Sequence, residues 1–186
     1  MIRKARPTDY TFVAKLMIQA MEDIASKFIN QEDPYQATEL FEHFFQQENN
    51  QYSYQHTLVY LENENDNVIG SLTAYDGAQL IEYRQPILDY IVQHYGHVIM
   101  FDPESGPGEF YFDTLSVHTN YQGKGIGKKL IGAGIDWARE LGHQRVGLLV
   151  DEYNPSAKRL YHKMGFYALD KKHFAGGIYD HLVFDI

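Results

Sequence analysis

Apolar residues recur along this chain at two periods, and the switches between them predict its elements. Ile2 to Arg6 reads as a first strand. Pro7-Thr8-Asp9 carries helix-start chemistry. Val13, Leu16, Met17, Ala20, Met21, Ile24 and Phe28 then recur at helical spacing and predict a helix through this stretch. Pro34 opens a second helix with Leu40, Phe41, Phe44 and Phe45. His56 to Glu62 and Val68 to Tyr75 alternate as the strands of a hairpin across the polar turn Asn63 to Asn67. Glu109 to His118 is aromatic and β-branched like a strand, and Ile126, Leu130, Ala133, Ile135, Trp137, Ala138 and Leu141 give the next helix a broad apolar side. Arg145 to Val150 follows as a fifth strand. The Phe and Met stripes read as core.

Gly77 to Gly108, between the third and fourth strands, is too long for a hairpin turn. Within it Pro86 can start a short helix carrying Ile87, Leu88, Ile91, Val92 and Tyr95, and residues 102–108 read as a flexible loop. The 186 residues, without repeat or linker, suit one domain (1–186) with an insertion at about 77–108.

Composition changes this picture only at its edges. With 44% hydrophobic and 22% charged residues the chain is of ordinary globular type. The absence of cysteine excludes thiol catalysis, disulfides and thiolate metal sites and fits a reducing compartment. No stretch has the length of a membrane span, and the N-terminus lacks a signal-peptide core, so a cytoplasmic protein without a membrane partner is expected. A net charge of -9 argues against nucleic acid and favours a cationic amine. Among nine histidines, His94 and His97 lack a third ligand at recognisable spacing, so no metal is expected. His173 and His181 flank the final hairpin.

The run Gln122-Gly123-Lys124-Gly125-Ile126-Gly127-Lys128 lies between strand and helix. Its glycines leave the backbone free of Cβ atoms, so N–H groups converge on an anion at the helix N-terminus. Lys129 stands where a Walker A loop needs Ser or Thr, and G-x-G-x-G misses the dinucleotide spacing, although Asp151 imitates a ribose-binding acid.

The arrangement Gln122-x-x-Gly125-x-Gly127 after Leu115-Ser116-Val117 resembles the acetyl-CoA signature of the GNAT superfamily of N-acetyltransferases. Asn154-Pro155-Ser156 through Tyr161 to Gly165-Phe166 resembles its later motif. The resemblance spans roughly Val68 to the C-terminus. It implies an α/β fold (α+β mixed sheet) with a twisted central sheet flanked by helices and splayed fourth and fifth strands. It also implies transfer of acetyl from acetyl-CoA, as co-substrate, to a primary amine of a small molecule or peptide. A non-catalytic acyl-CoA-binding regulator and a dinucleotide-dependent oxidoreductase stand as alternatives, and the oligomeric state, including a homodimer, is open.

An alkyl ammonium with a pKa of about 10.4 costs about 4–5 kcal/mol to deprotonate at pH 7, so a base helps, and the departing thiolate benefits from an acid. By resemblance, the backbone of Leu115, Ser116 and Val117 pairs with pantetheine, the Val117 N–H is the oxyanion donor, and Tyr161 is the acid. The cofactor contacts are Gln122, Gly123, Lys124, Gly125, Ile126, Gly127, Lys128, Asn154, Ser156 and Tyr161, with Asn154 equally a helix cap. The histone-modifying branch carries a glutamate where this chain has Tyr111. Strand alternation puts Glu109, Tyr111 and Asp113 on one face, so Asp113 or Glu109 is the candidate base. The resemblance sets the first two helices beside the acceptor site, and the 77–108 segment is either a packing layer or a lid or wall there.

Overall fold

The computed structural model describes residues 1–62 and 67–186; most of the expected Asn63 to Asn67 turn lies outside them. Seven strands form one mixed sheet in the order β1-β2-β3-β4-β5-β7-β6. The strands are β1 (Ile2–Lys4), β2 (Thr57–Leu61), β3 (Val68–Asp76), β4 (Phe110–Val117), β5 (Arg145–Asp151), β6 (Tyr167–Phe174) and β7 (Gly177–Asp185). Every neighbouring pair is antiparallel except β4 with β5. The expected hairpin forms, with Val59 opposite Ser71.

The described residues form six α-helices, α1 (Tyr10–Ala20), α2 (Glu22–Ile29), α3 (Thr38–Phe45), α4 (Leu80–Tyr95), α5 (Ile126–Glu140) and α6 (Pro155–Lys163). They cover two faces of the sheet, each with its own core. Val13, Met17, Leu40, Phe41, Phe45, Ile87 and Ile91 pack on the α1–α4 side. Leu72, Phe110, Phe112, Leu130, Ile131, Leu148 and Phe166 pack beneath α5. Alternation along β4 thus feeds Phe110 and Phe112 to one core while Tyr111 turns to the other side, where it packs with Tyr75 and Leu80.

Two expectations need correction. The first helix is broken: Met21 adopts φ -144°, ψ 48°, ending α1 and starting α2 one residue later. Apolar spacing runs on across this break because both halves bury the same side, so periodicity alone gave no sign of it. The break also gives Glu22 and Asp23 the first turn of a new helix, where the dipole favours acids. The second correction concerns Pro86, which lies inside α4 and does not open it. The Asp76 carboxylate caps a 3₁₀ turn at Gly77–Gln79 by accepting from the Ala78 N–H, and that turn feeds α4 at Leu80. Pro86 then removes one intrahelical hydrogen bond at the cost of regularity.

Among the described residues no helix is long and apolar enough to cross a membrane.

Candidate active site

β4 and β5 stay paired only from Phe110 opposite Val146 to Phe112 opposite Leu148. They part at the next residue. There the β3–β4 register jumps from Ala74 opposite Phe112 to Thr73 opposite Thr114, so Asp113 is the extra residue of a bulge. Beyond it the His118 N–H donates to the Ile69 carbonyl at 2.9 Å. The ladder alternates, so the backbone groups of Leu115 and Val117 turn away from β3 toward the gap that β5 has left. The Val117 carbonyl accepts from the amides of Gln19 and Gln122, each at 3.0 Å. Gln122 therefore props the strand end.

The glycine run forms a cradle. Gly123 and Gly125 sit at φ 75° and 79°, the left-handed region that side chains resist, and a Cβ on either projects into open space. No hydrogen bond ends on the N–H of Gly123, Lys124 or Gly125 among the described residues, and those of Ile126, Gly127 and Lys128 belong to the unpaired first turn of α5. The exposed Lys128 and the Lys124 amine, 4.7 Å from the centre of the Tyr121 ring, add positive charge. This donor set fits a phosphate group, and the freed edge of β4 fits an extended amide chain.

A cavity of about 540 Å³ runs from Asp113 across the parted strands to Tyr161. Gln19, Met21, Glu22, Asp23 and Phe28 line it, all from the stretch expected as the first helix, whereas the expected second helix with Leu40 to Phe45 contributes no lining residue. Arg84, Phe101 and Glu104 from the segment between β3 and β4 form another part of its wall. Thr114 contributes a buried hydroxyl without a hydrogen-bond partner among the described residues.

Asp113 is the most perturbed carboxyl here. Its Oδ2 accepts from the Tyr75 hydroxyl at 2.7 Å and from the Gln51 amide at 2.8 Å, while no hydrogen bond ends on Oδ1 among the described residues. Burial, with the Glu104 charge second, raises its pKa to about 6 against the pull of Gln51, Tyr75 and Arg84. Behind it the Arg84 guanidinium forms a two-pronged buried ion pair with Glu104 and donates from Nε to Gln51 Oε1 at 3.3 Å. Tyr111 is buried beside this group, and its hydroxyl is held well above the ordinary range.

Tyr161 is half-buried on α6, its ring edge against Phe166 at 5.7 Å, and burial pushes its hydroxyl up to about 12. Asn154 caps α6 by accepting from the Ala157 N–H at 3.0 Å and also lines the cavity. Ser156 is exposed and does not line it.

Glu109 is not brought to the cavity. The Ser105 hydroxyl donates to its Oε1, and its Oε2 lies 2.8 Å from His181 Nε2, which together hold the carboxyl below its usual range against a burial penalty. A Cβ on Gly147 would stand 2.1 Å from that carboxylate, so glycine there makes room for it. His181 is consumed by Glu109 and Asp170, and neither it nor His173 lines the cavity. His94 stacks on Tyr90, while His97 faces the Lys27 carbonyl. Gln51, Tyr75, Arg84 and Glu104 are the site residues that sequence reasoning missed.

Similar proteins share this architecture. An N-acetyltransferase from Staphylococcus aureus Mu50 superposes with a TM-score of 0.85 at 27% identity, covering 99% of this chain and 100% of that one. A second acetyltransferase gives 0.82 at 28% identity over 100% and 98%. A probable spermine N(1)-acetyltransferase from Bacillus subtilis subsp. natto is 37% identical over 73 residues, 39% of this chain and 48% of that protein. The match thus spans about half the length of that curated relative. Residues 17–166 match the acetyltransferase (GNAT) family, and the chain belongs to it.

Proposed function

We propose that this enzyme transfers the acetyl group of acetyl-CoA to a primary amine of a small molecule or peptide by direct attack. The observation that carries the reading is the single cavity that joins Asp113 to Tyr161 across the gap between β4 and β5. Acetyl-CoA supplies the activated acyl group. The cradle at Gly123 to Lys128 binds its pyrophosphate, the Leu115 and Val117 backbone aligns its amide chain, and the Val117 N–H faces the charge developing on the acyl oxygen. Asp113 Oδ1 accepts the proton of the incoming ammonium, directly or through water, with a pKa of about 6 that leaves it ionised and still basic near neutrality. Tyr161 donates to the departing sulfur. Glu22, Asp23 and Asp151 at the cavity wall suit a cationic acceptor, a preference shared with the acceptor in the name of the spermine-acetylating relative.

Turnover of acetyl-CoA against a panel of polyamines, amino acids and peptide N-termini tests the acceptor. Absence of turnover beside tight CoA binding identifies a regulator instead. CoA at one hundred times its dissociation constant is expected to stabilise the fold by about 2.7 kcal/mol, and NAD not at all, in thermal melts. A rise with NAD and none with CoA overturns the assignment.

Gly125→Val tests the cradle. A β-branched side chain resists φ 79° and crowds the anion, so CoA affinity is expected to fall at least about tenfold while the surface loop leaves the fold intact. Unchanged affinity, read by calorimetry, reduces the loop to a chain reversal.

A further inference from the structure

We infer that Gln51 and Glu104 are positioning residues for Asp113: the Gln51 amide ties the carboxylate to the Arg84–Glu104 ion pair and leaves Oδ1 facing the cavity, while Glu104 holds a fixed negative charge behind it. The inference rests on Asp113 being the base.

The polarity of the Gln51 amide is decided by its neighbour. A guanidinium only donates, so the atom facing Arg84 Nε must be the oxygen, which leaves the Gln51 NH₂ toward the two carboxylates, 2.8 Å from Asp113 Oδ2 and 3.4 Å from Glu104 Oε1. Together with the Tyr75 hydroxyl it saturates Oδ2. Only Oδ1 remains to take a proton.

Glu104 is fastened from both sides. Its carboxylate is gripped by Arg84 and its carbonyl accepts from Lys172 Nζ at 3.0 Å, while the adjacent Ser105 is tied to Glu109 and through it to His181. A charge pinned to α4, β6 and β7, and through Ser105 to Glu109 just before β4, cannot drift away as Asp113 ionises. A buried ion pair is weak evidence of a stabilising role, since apolar residues often replace one with no loss.

Around Asp113 stand Glu104 from the loop before β4, Arg84 on α4, and the phenols of Tyr52, Tyr75 on β3 and Tyr111 on β4, with Glu22, Asp23, Asp151 and Tyr161 on the wall of the cavity it lines. All three phenols are held well above their ordinary range and stay neutral. Burial does most to raise the proton affinity of the base, and of the fixed charges beside it Glu104 raises it further while Arg84 lowers it. Glu104 on the inserted segment makes that segment part of the acid–base machinery and not simply a packing layer.

The test is the pH profile of kcat/KM for the preferred amine in wild type, Glu104→Gln and Gln51→Glu. Glu104→Gln removes the negative charge and is expected to move the acid limb down by about one pH unit. Gln51→Glu keeps an oxygen toward Arg84 and places a charge against Asp113, so its limb is expected to move up by about one unit. A purely structural role lowers the rate by one factor at every pH and moves neither limb. Unmoved limbs in folded variants overturn the inference. If Glu104→Gln leaves Arg84 unpaired and does not fold, Gln51→Glu decides alone: an upward shift supports the inference and an unmoved limb ends it. Asp113→Asn separates the two layers of argument. Loss of the acid limb there, with both other limbs unmoved, keeps Asp113 as base and removes only the positioning roles; a limb that survives Asp113→Asn removes both.

Discussion

Replacing Asp113 with asparagine is expected to lower kcat/KM for the acceptor amine by about 10³-fold, within the range for loss of a general base. Asparagine keeps an oxygen for Gln51 and Tyr75, so the cavity keeps its shape and only the proton acceptor goes. The acid limb near pH 6 disappears with it. The stability of the fold moves the other way. The folded carboxyl titrates at about 6 against an ordinary 3.8, so the folded state holds its proton more tightly, and the charge costs stability above pH 6 but not below 3.8. Asp113→Asn is therefore expected to melt higher than wild type near neutrality and to lose that margin on acidification. An active variant with an intact acid limb excludes Asp113 as base; the melting curves distinguish that outcome from damage to the fold.

Tyr161→Phe is expected to lower kcat roughly 10²-fold with little change in CoA affinity, because the ring stays packed and only the hydroxyl is lost. A hydroxyl pushed up to about 12 remains protonated across any ordinary assay, so it contributes no alkaline limb there. It is also a weaker acid than a free tyrosine. Its help is then a hydrogen bond to the sulfur that strengthens as negative charge develops, with proton delivery completing the step. Because a thiolate already leaves well, a tenfold loss is about the smallest effect compatible with the role. Unchanged kcat with the preferred amine makes Tyr161 a packing residue and solvent the proton source.

What was legible in the sequence was local. The glycine run, the strand before it and the Asn-to-Phe segment after it each lie within about a dozen residues, and their order along the chain carried the architecture. The Asp113 bulge was not legible, since alternation continues through it and only the register with β3 exposes the extra residue. Gln51 sits in a polar stretch that reads as an ordinary connection. It meets Arg84, Glu104 and Asp113 at separations of 33, 53 and 62 residues. No spacing rule spans such distances. Glu109 shows the same limit from the other side: alternation puts it on one face with Asp113, yet it lies just before β4 and a histidine 72 residues away claims its carboxylate. Strand alternation gives the direction of a side chain and says nothing of what waits there. Pro86 was misread because its usual place at a helix start outweighed a capping aspartate further upstream.

The brief pairing of β4 with β5 divides the sheet at a seam. β1 to β4 with α1–α4 form one half, and β5 to β7 with α6 form the other, bridged by the apolar side of α5 and by the ties from Lys172 and His181. Asp113 belongs to the first half and Tyr161 to the second. Such a seam is where a domain opens sub-globally, at less free energy than it needs to unfold. An opening there is expected to separate the two groups while both halves stay folded, and amide exchange along the short β4–β5 pairing would time it.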